Sequence, residues 1–176
     1  MSELEPSAWL ESIAEIFDSL GVEWTLVGAL AANRYRATPR FTTDVDTMAT
    51  FDPELERRLI DAGYDVDVIA DVGEPPHLIR CHRGPEAVDI LLPVVEYQRV
   101  ALARAHDHVL TAEDVIVHKL IAWRPRDRDD IRSILEAGVA LDHEYLDGWI
   151  AEWDVAERWA TFVDSGVPSR PSAIGP

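Results

Sequence analysis

The sequence predicts a mixed α/β chain, and three observations carry that reading. A short apolar strand runs through a glycine into a helix at residues 24–35, three β-prone runs lie between residues 64 and 94, and helical periodicity dominates after Tyr97. A chain of 176 residues with 47% hydrophobic content can bury a core of its own, so one compact domain over residues 1–164 is expected. Residues 22–94 form its sheet core and residues 95–164 its mainly helical part. Residues 165–176, rich in proline and small residues, read as a flexible tail.

Taken in order, residues 7–20 place Trp9, Leu10, Ile13, Ile16, Phe17 and Leu20 at helical spacing, and Gly21 stops the pattern. Residues 24–27 are a strand ending at Gly28, and residues 29–35 are helical; a loop with Pro39 follows. Residues 44–50 alternate as a strand does, and Pro53 opens a helix that Gly63 ends. The runs 64–69, 77–82 and 87–94 are strands, the last two joined by the hairpin turn Arg83-Gly84-Pro85-Glu86. Helices are expected at 111–123, 127–137 and 142 to about 163, with a break near Gly148. Thr111 and Asp114 have capping-box spacing, which makes Asp114 a cap rather than a catalyst. Trp149, Trp153 and Trp159 form an aromatic stripe of the kind that serves a core or an oligomer contact, and a homodimer is compatible with it.

Composition excludes several classes. The formal charge of -17, from 33 acidic and 16 basic residues, repels a phosphate backbone and argues against general nucleic-acid or anionic-membrane binding. Cys81 is the sole cysteine, so neither a disulfide scaffold nor a cysteine zinc site can form, and a reducing cytoplasm fits. No signal peptide and no apolar run of spanning length is present, so a cytoplasmic, soluble protein without a membrane partner is expected. The six histidines form no ligand cluster.

The chemistry concentrates in the carboxylates. Strand geometry puts Asp44 and Asp46 on one face, with Val45 on the other. Two such charges repel unless a cation lies between them, and hard oxygen ligands suit Mg2+ or Mn2+ completed by water and nucleotide phosphates. A solvated strand edge is the alternative in a chain this rich in Asp. Asp89, inside the apolar run Val88 to Leu92, needs a partner or a metal, or a structural hydrogen bond. Gly28 and Ala29 sit where a strand passes into a helix, a place where backbone N–H groups can meet phosphate, and Arg40 and Thr42 precede the first aspartate by four and two residues. Lys119 is the only lysine, either a surface residue of an amphipathic helix or a retained functional ammonium. Arg124, Asp127 and Asp130 read first as a salt-bridged helix start.

Val27-Gly28-Ala29, then Arg40-x-Thr42-x-Asp44-x-Asp46, then Asp89 resemble the active-site signature of nucleotidyltransferases of the DNA polymerase beta type. Residues 111–120 and 124–131 resemble the helical segment of the minimal branch that includes AbiEii-type toxin nucleotidyltransferases, so the likeness covers roughly residues 22–137. Ala29 stands where that family usually has a second glycine or a serine.

The resemblance implies an α/β (α+β) nucleotidyltransferase fold with a central mixed β-sheet, flanking helices and a C-terminal helical segment. It implies transfer of NMP from an NTP, ATP among the candidates, to a hydroxyl-bearing acceptor of unknown kind: RNA, protein or small molecule. Asp44, Asp46 and Asp89 would hold Mg2+ or Mn2+, with Asp89 as base. Gly28, Ala29, Arg40, Thr42, Lys119, Arg124 and Asp127 would bind nucleotide, Lys119 facing phosphate. A toxin with a cognate antitoxin, a small aminoglycoside-type nucleotidyltransferase, and an inactive nucleotide-binding or antitoxin-like partner are the readings left open.

Overall fold

The computed structural model describes residues 6–163, with side chains from Trp9 onward. The expected tail at 165–176 lies outside these described residues. The chain divides into two compact units, one comprising the described residues up to Leu30 with Phe41–Leu110, the other Ala31–Arg40 with the described residues from Thr111 on.

The first unit is a mixed five-stranded sheet with flanking helices. Its strands are β1 (Trp24–Leu26), β2 (Val45–Ala49), β3 (Asp65–Ile69), β4 (Leu78–Arg83) and β5 (Glu86–Leu91), in the spatial order β1-β2-β5-β4-β3. Only β2 and β5 run parallel; their connection carries a helix and the two strands β3 and β4, as a parallel crossover requires. Between β4 and β5 the loop is Gly84-Pro85, and Gly84 at φ +61° supplies the left-handed torsion that a two-residue hairpin needs.

One sheet face is apolar because Val45, Ala49, Val88, Ile90, Ile79 and Cys81 alternate toward it. Helices α1 (Pro6–Leu20) and α3 (Leu55–Asp61) cover that face with Trp9, Ile13, Phe17, Leu55 and Leu59. The Cys81 thiol is fully buried there, and burial, with the nearby Asp89 charge, pushes its pKa up to about 12. At one edge, β1 is covered by the turn after helix α4 (Glu96–Arg104): Leu26 bridges Val109, and the His108 ring stacks on Trp24 at 4.1 Å. At the other edge, β3 shows exposed Asp65 and Asp67, charges that discourage pairing with a further strand.

Helix α2 (Gly28–Asn33) begins in the first unit and ends in the second. The second unit holds α5 (Ala112–Ala122), α6 (Pro125–Glu136), α7 (His143–Glu152) and α8 (Ala156–Val163). Thr111 caps α5: its hydroxyl accepts the Asp114 N–H at 3.3 Å and donates to the Asp114 carboxylate at 2.8 Å. Tyr145 donates to the same carboxylate at 2.6 Å, so Asp114 is a buried structural acid as its spacing suggested.

The structure differs from the sequence reading at several places: α3 begins at Leu55 after the N-cap Glu54, so Pro53 lies outside the helix it was expected to open, and β5 ends at Leu91 rather than at residue 94. Helix α4 leaves little trace in the sequence, since its buried side is only Tyr97, Ala101 and Leu102, a short stripe after Pro93. Helix α6 starts two residues early, since Pro125 takes the first-turn position where its missing N–H costs nothing. The break in the last helical stretch falls at Asp154, whose φ of +52° ends the turn, whereas Gly148 stays inside α7. Among the described residues no helix is long and apolar enough to cross a membrane.

Phe17 is the largest fully buried side chain of this core. Phe17→Ala should therefore cost about 3–5 kcal/mol of unfolding free energy, read as a lower urea midpoint.

Candidate active site

The site grows from the strand register. Pairing of parallel β2 with β5 sets Asp46 directly beside Asp89, and Val45 beside Val88. Since Val45 and Val88 fill the apolar core, the two aspartates share the opposite face, where both stay partly exposed. Asp44 lies one residue before β2 and is exposed; its N–H donates to the Thr42 hydroxyl at 3.2 Å, which ties the approach to the strand. Thr42 itself is buried.

Gly28 is fixed by the same carboxylate. Its φ is +61°, and a Cβ there would lie 2.1 Å from Asp46 Oδ2 and 2.9 Å from its Cγ. Glycine is required twice over, by backbone conformation and by the space Asp46 takes. The Val27 N–H donates to the Asp46 carbonyl at 3.0 Å and holds this approach. Ala29, next in the chain, is buried.

Like charges on neighbouring strands are destabilising unless a cation offsets them. Arg80 of β4 does so in part: it pairs with Asp89 in the antiparallel register, and its Nε lies 3.4 Å from Asp89 Oδ1. Sequence reasoning missed Arg80, although the signal was present. A hairpin closing Arg83 on Glu86 puts Arg80 opposite Asp89 by counting. Among the described residues no three His, Cys, Asp or Glu side chains form a ready-made metal cage.

The remaining candidates meet in the second unit around two solvent-inaccessible carboxylates. Lys119 Nζ lies 2.7 Å from Asp130 Oδ2 and 3.3 Å from Asp127 Oδ1, with its side chain almost fully buried. Arg40 grips Asp130 with two hydrogen bonds of 2.9 and 3.2 Å, and Arg36 donates to the same carboxylate. Arg124 grips Asp127 at 2.7 and 3.2 Å. Burial by itself would raise both aspartates. The Arg124 hydrogen bond and the Lys119 charge hold Asp127 below the usual carboxylate range, and the Arg40 and Lys119 hydrogen bonds do the same for Asp130. Four cations converge on these two carboxylates. Arg36 and Asp130 were not among the sequence candidates for ligand binding; the lone lysine and the i, i+3 acid pair were the available clues.

No protein-family model matches the chain, and no curated protein matches it by sequence. Solved structures do. The antibiotic-resistance factor ANT(2'')-Ia matches over 89% of this chain and 94% of its own, with 16% identity and a TM-score of 0.55. The same factor in complex with adenylyl-2''-tobramycin matches over 86% of this chain and 97% of its own, with 17% identity and a TM-score of 0.53. An antigenic nucleotidyltransferase-like protein from Paracoccidioides brasiliensis matches over 97% of this chain and 95% of its own, with 17% identity and a TM-score of 0.51. At such identities the likeness concerns the fold: this chain has the nucleotidyltransferase fold.

Gly28→Ala should lose about 1–2 kcal/mol from the left-handed backbone alone, plus the displacement of Asp46, measurable as a lower melting temperature. Acid should also destabilise the protein. His118, neutral in the fold, has its pKa lowered to about 4 by burial with help from Lys119, so the unfolded chain takes up its proton first as pH falls from about 6.5 toward 4. Asp127 and Asp130 stabilise the fold above the ordinary carboxylate pKa and cease to do so as pH falls through their lowered values. The urea midpoint should decline from pH 7 to pH 4 and fall further below it; no decline between pH 6.5 and 4 contradicts the His118 assignment, and no further fall below pH 4 contradicts that of Asp127 and Asp130.

Proposed function

We propose that this protein transfers a nucleoside monophosphate from a nucleoside triphosphate to a hydroxyl-bearing acceptor, using Mg2+ or Mn2+ held by Asp44, Asp46 and Asp89. The observation that carries the reading is the in-register pair Asp46 and Asp89 on the face of the sheet away from α1 and α3, both partly exposed, with Gly28 packed against Asp46. The donor set fits the ion. Magnesium is commonly held by one or two carboxylates together with substrate phosphates, so a pair with Asp44 at the strand entrance suffices without a complete protein cage.

The bound ion supplies neutralisation of charge on the α-phosphoryl group. Asp89 accepts the proton of the attacking hydroxyl. The new bond forms between that oxygen and the α-phosphorus, the bond to the β-phosphate oxygen breaks, and pyrophosphate leaves. Gly28 keeps the Asp46 carboxylate at its strand position, and positioning of this kind supplies much of the rate. Phosphate contact is part of the same reading: by Gly28, Ala29 and Thr42 in the first unit and, taken by itself, by Arg40, Lys119 and Arg124 with Asp127 in the second. Asp127 would act there by orienting Lys119 and Arg124.

The acceptor divides two readings. A cytoplasmic toxin with a cognate antitoxin follows from the resemblance of the helical segment. The charge of -17 favours a cationic small-molecule acceptor instead, and the ANT(2'')-Ia complex with adenylyl-2''-tobramycin is a precedent on this fold.

Incubation with Mg2+ and each labelled NTP, against tRNA, protein and aminoglycoside acceptors, should give label transfer and pyrophosphate release that EDTA abolishes. Asp46→Asn and Asp89→Asn should each lower the rate by about 10²–10⁴-fold. Undiminished transfer in both variants, or none by the wild type under any condition, removes the proposal.

A further inference from the structure

Arg80 is the charged neighbour of the carboxylate pair that the transfer mechanism leaves unused. Its position is set by two ladders: β4 pairs with β5 so that Arg80 faces Asp89, and β5 pairs with β2 so that Asp89 faces Asp46. One row across the sheet therefore reads Asp67, Arg80, Asp89, Asp46, all on the face away from the apolar core. Arg80 is half exposed and its Nε lies 3.4 Å from Asp89 Oδ1, an ion pair rather than a short hydrogen bond. Such a pair holds weakly and can be shared with, or displaced by, a stronger cation.

We propose that Arg80 is a positioning residue that occupies Asp89 and sets the affinity of the site for its divalent ion; this rests on the metal-binding reading above. The charge balance gives the sign. Three carboxylates without Arg80 attract a divalent ion strongly and, once it is bound, still leave one negative charge to repel the triphosphate. With Arg80 the carboxylates, guanidinium and one divalent ion together are neutral, so the ion is held less tightly and the polyphosphate approaches without that repulsion.

The test is Mn2+ binding to the full chain without nucleotide, read from the free Mn2+ signal in electron paramagnetic resonance. Because Arg80 is exposed, its variants should fold as the wild type does. Arg80→Gln should bind Mn2+ roughly threefold to tenfold more tightly, an effect that shrinks with added salt. Arg80→Lys, which keeps the charge, should stay within about twofold of wild type. Unchanged or weaker binding in Arg80→Gln, or equal tightening in Arg80→Lys, overturns the role of Arg80 while leaving the metal site standing, provided Asp46→Asn abolishes the binding. If neither wild type nor Arg80→Gln shows Asp46-dependent Mn2+ binding, the metal reading fails and this proposal with it.

Discussion

Parallel pairing of β2 with β5 is the constraint on which the candidate site depends. These two strands are far apart in the chain, and their alignment is fixed by apolar side chains on the other face: Val45, Ala49, Val88 and Ile90 must all reach the core beneath α1 and α3. A slip of one residue would turn those side chains outward and bury aspartates in their place. The core therefore enforces the meeting of Asp46 and Asp89, although neither belongs to it. Two acids that repel are kept adjacent by hydrophobic burial, and Gly28 is the only kind of residue that fits against the result.

The second unit solves a different electrostatic problem. Asp127 and Asp130 are inaccessible to solvent, and a buried ionised carboxylate is tolerable only with full pairing. Each has at least two cationic partners, and Lys119 joins them. Because Arg36 and Arg40 also converge on Asp130, the segment between α2 and β2 is tied to α6 by charge as well as by the Ala37 N–H bond to the Ser133 carbonyl at 3.0 Å. Removal of one partner leaves a buried charge unmatched, so substitutions here will disturb stability as well as any ligand contact.

Much of this was legible in the sequence. Every strand except for its end residues follows from alternation and turn residues, and the mixed sheet, the glycine turn at Gly28 and the capping of α5 by Thr111 were all expected from local chemistry. What could not be read locally was partnership. An Arg at position 80 looks like any exposed strand residue until the hairpin register is counted across to Asp89. Lys119 resembles a surface lysine until helices α5 and α6 pack and carry it between two acids. Asp154 in a left-handed conformation ended a helix that glycine statistics would end at Gly148, because an Asp can adopt that torsion when the following turn requires it.

The environment of Cys81 has a practical bearing on handling this molecule. Its sulfur is enclosed in the core and stays in the thiol form across the working pH range, so oxidants and alkylating reagents find no thiolate to attack. Air oxidation will not crosslink folded copies through it. A cysteine introduced on the surface would be the single reactive sulfur in the native chain, giving one addressable position for a spin label or fluorophore with no need to delete the natural residue.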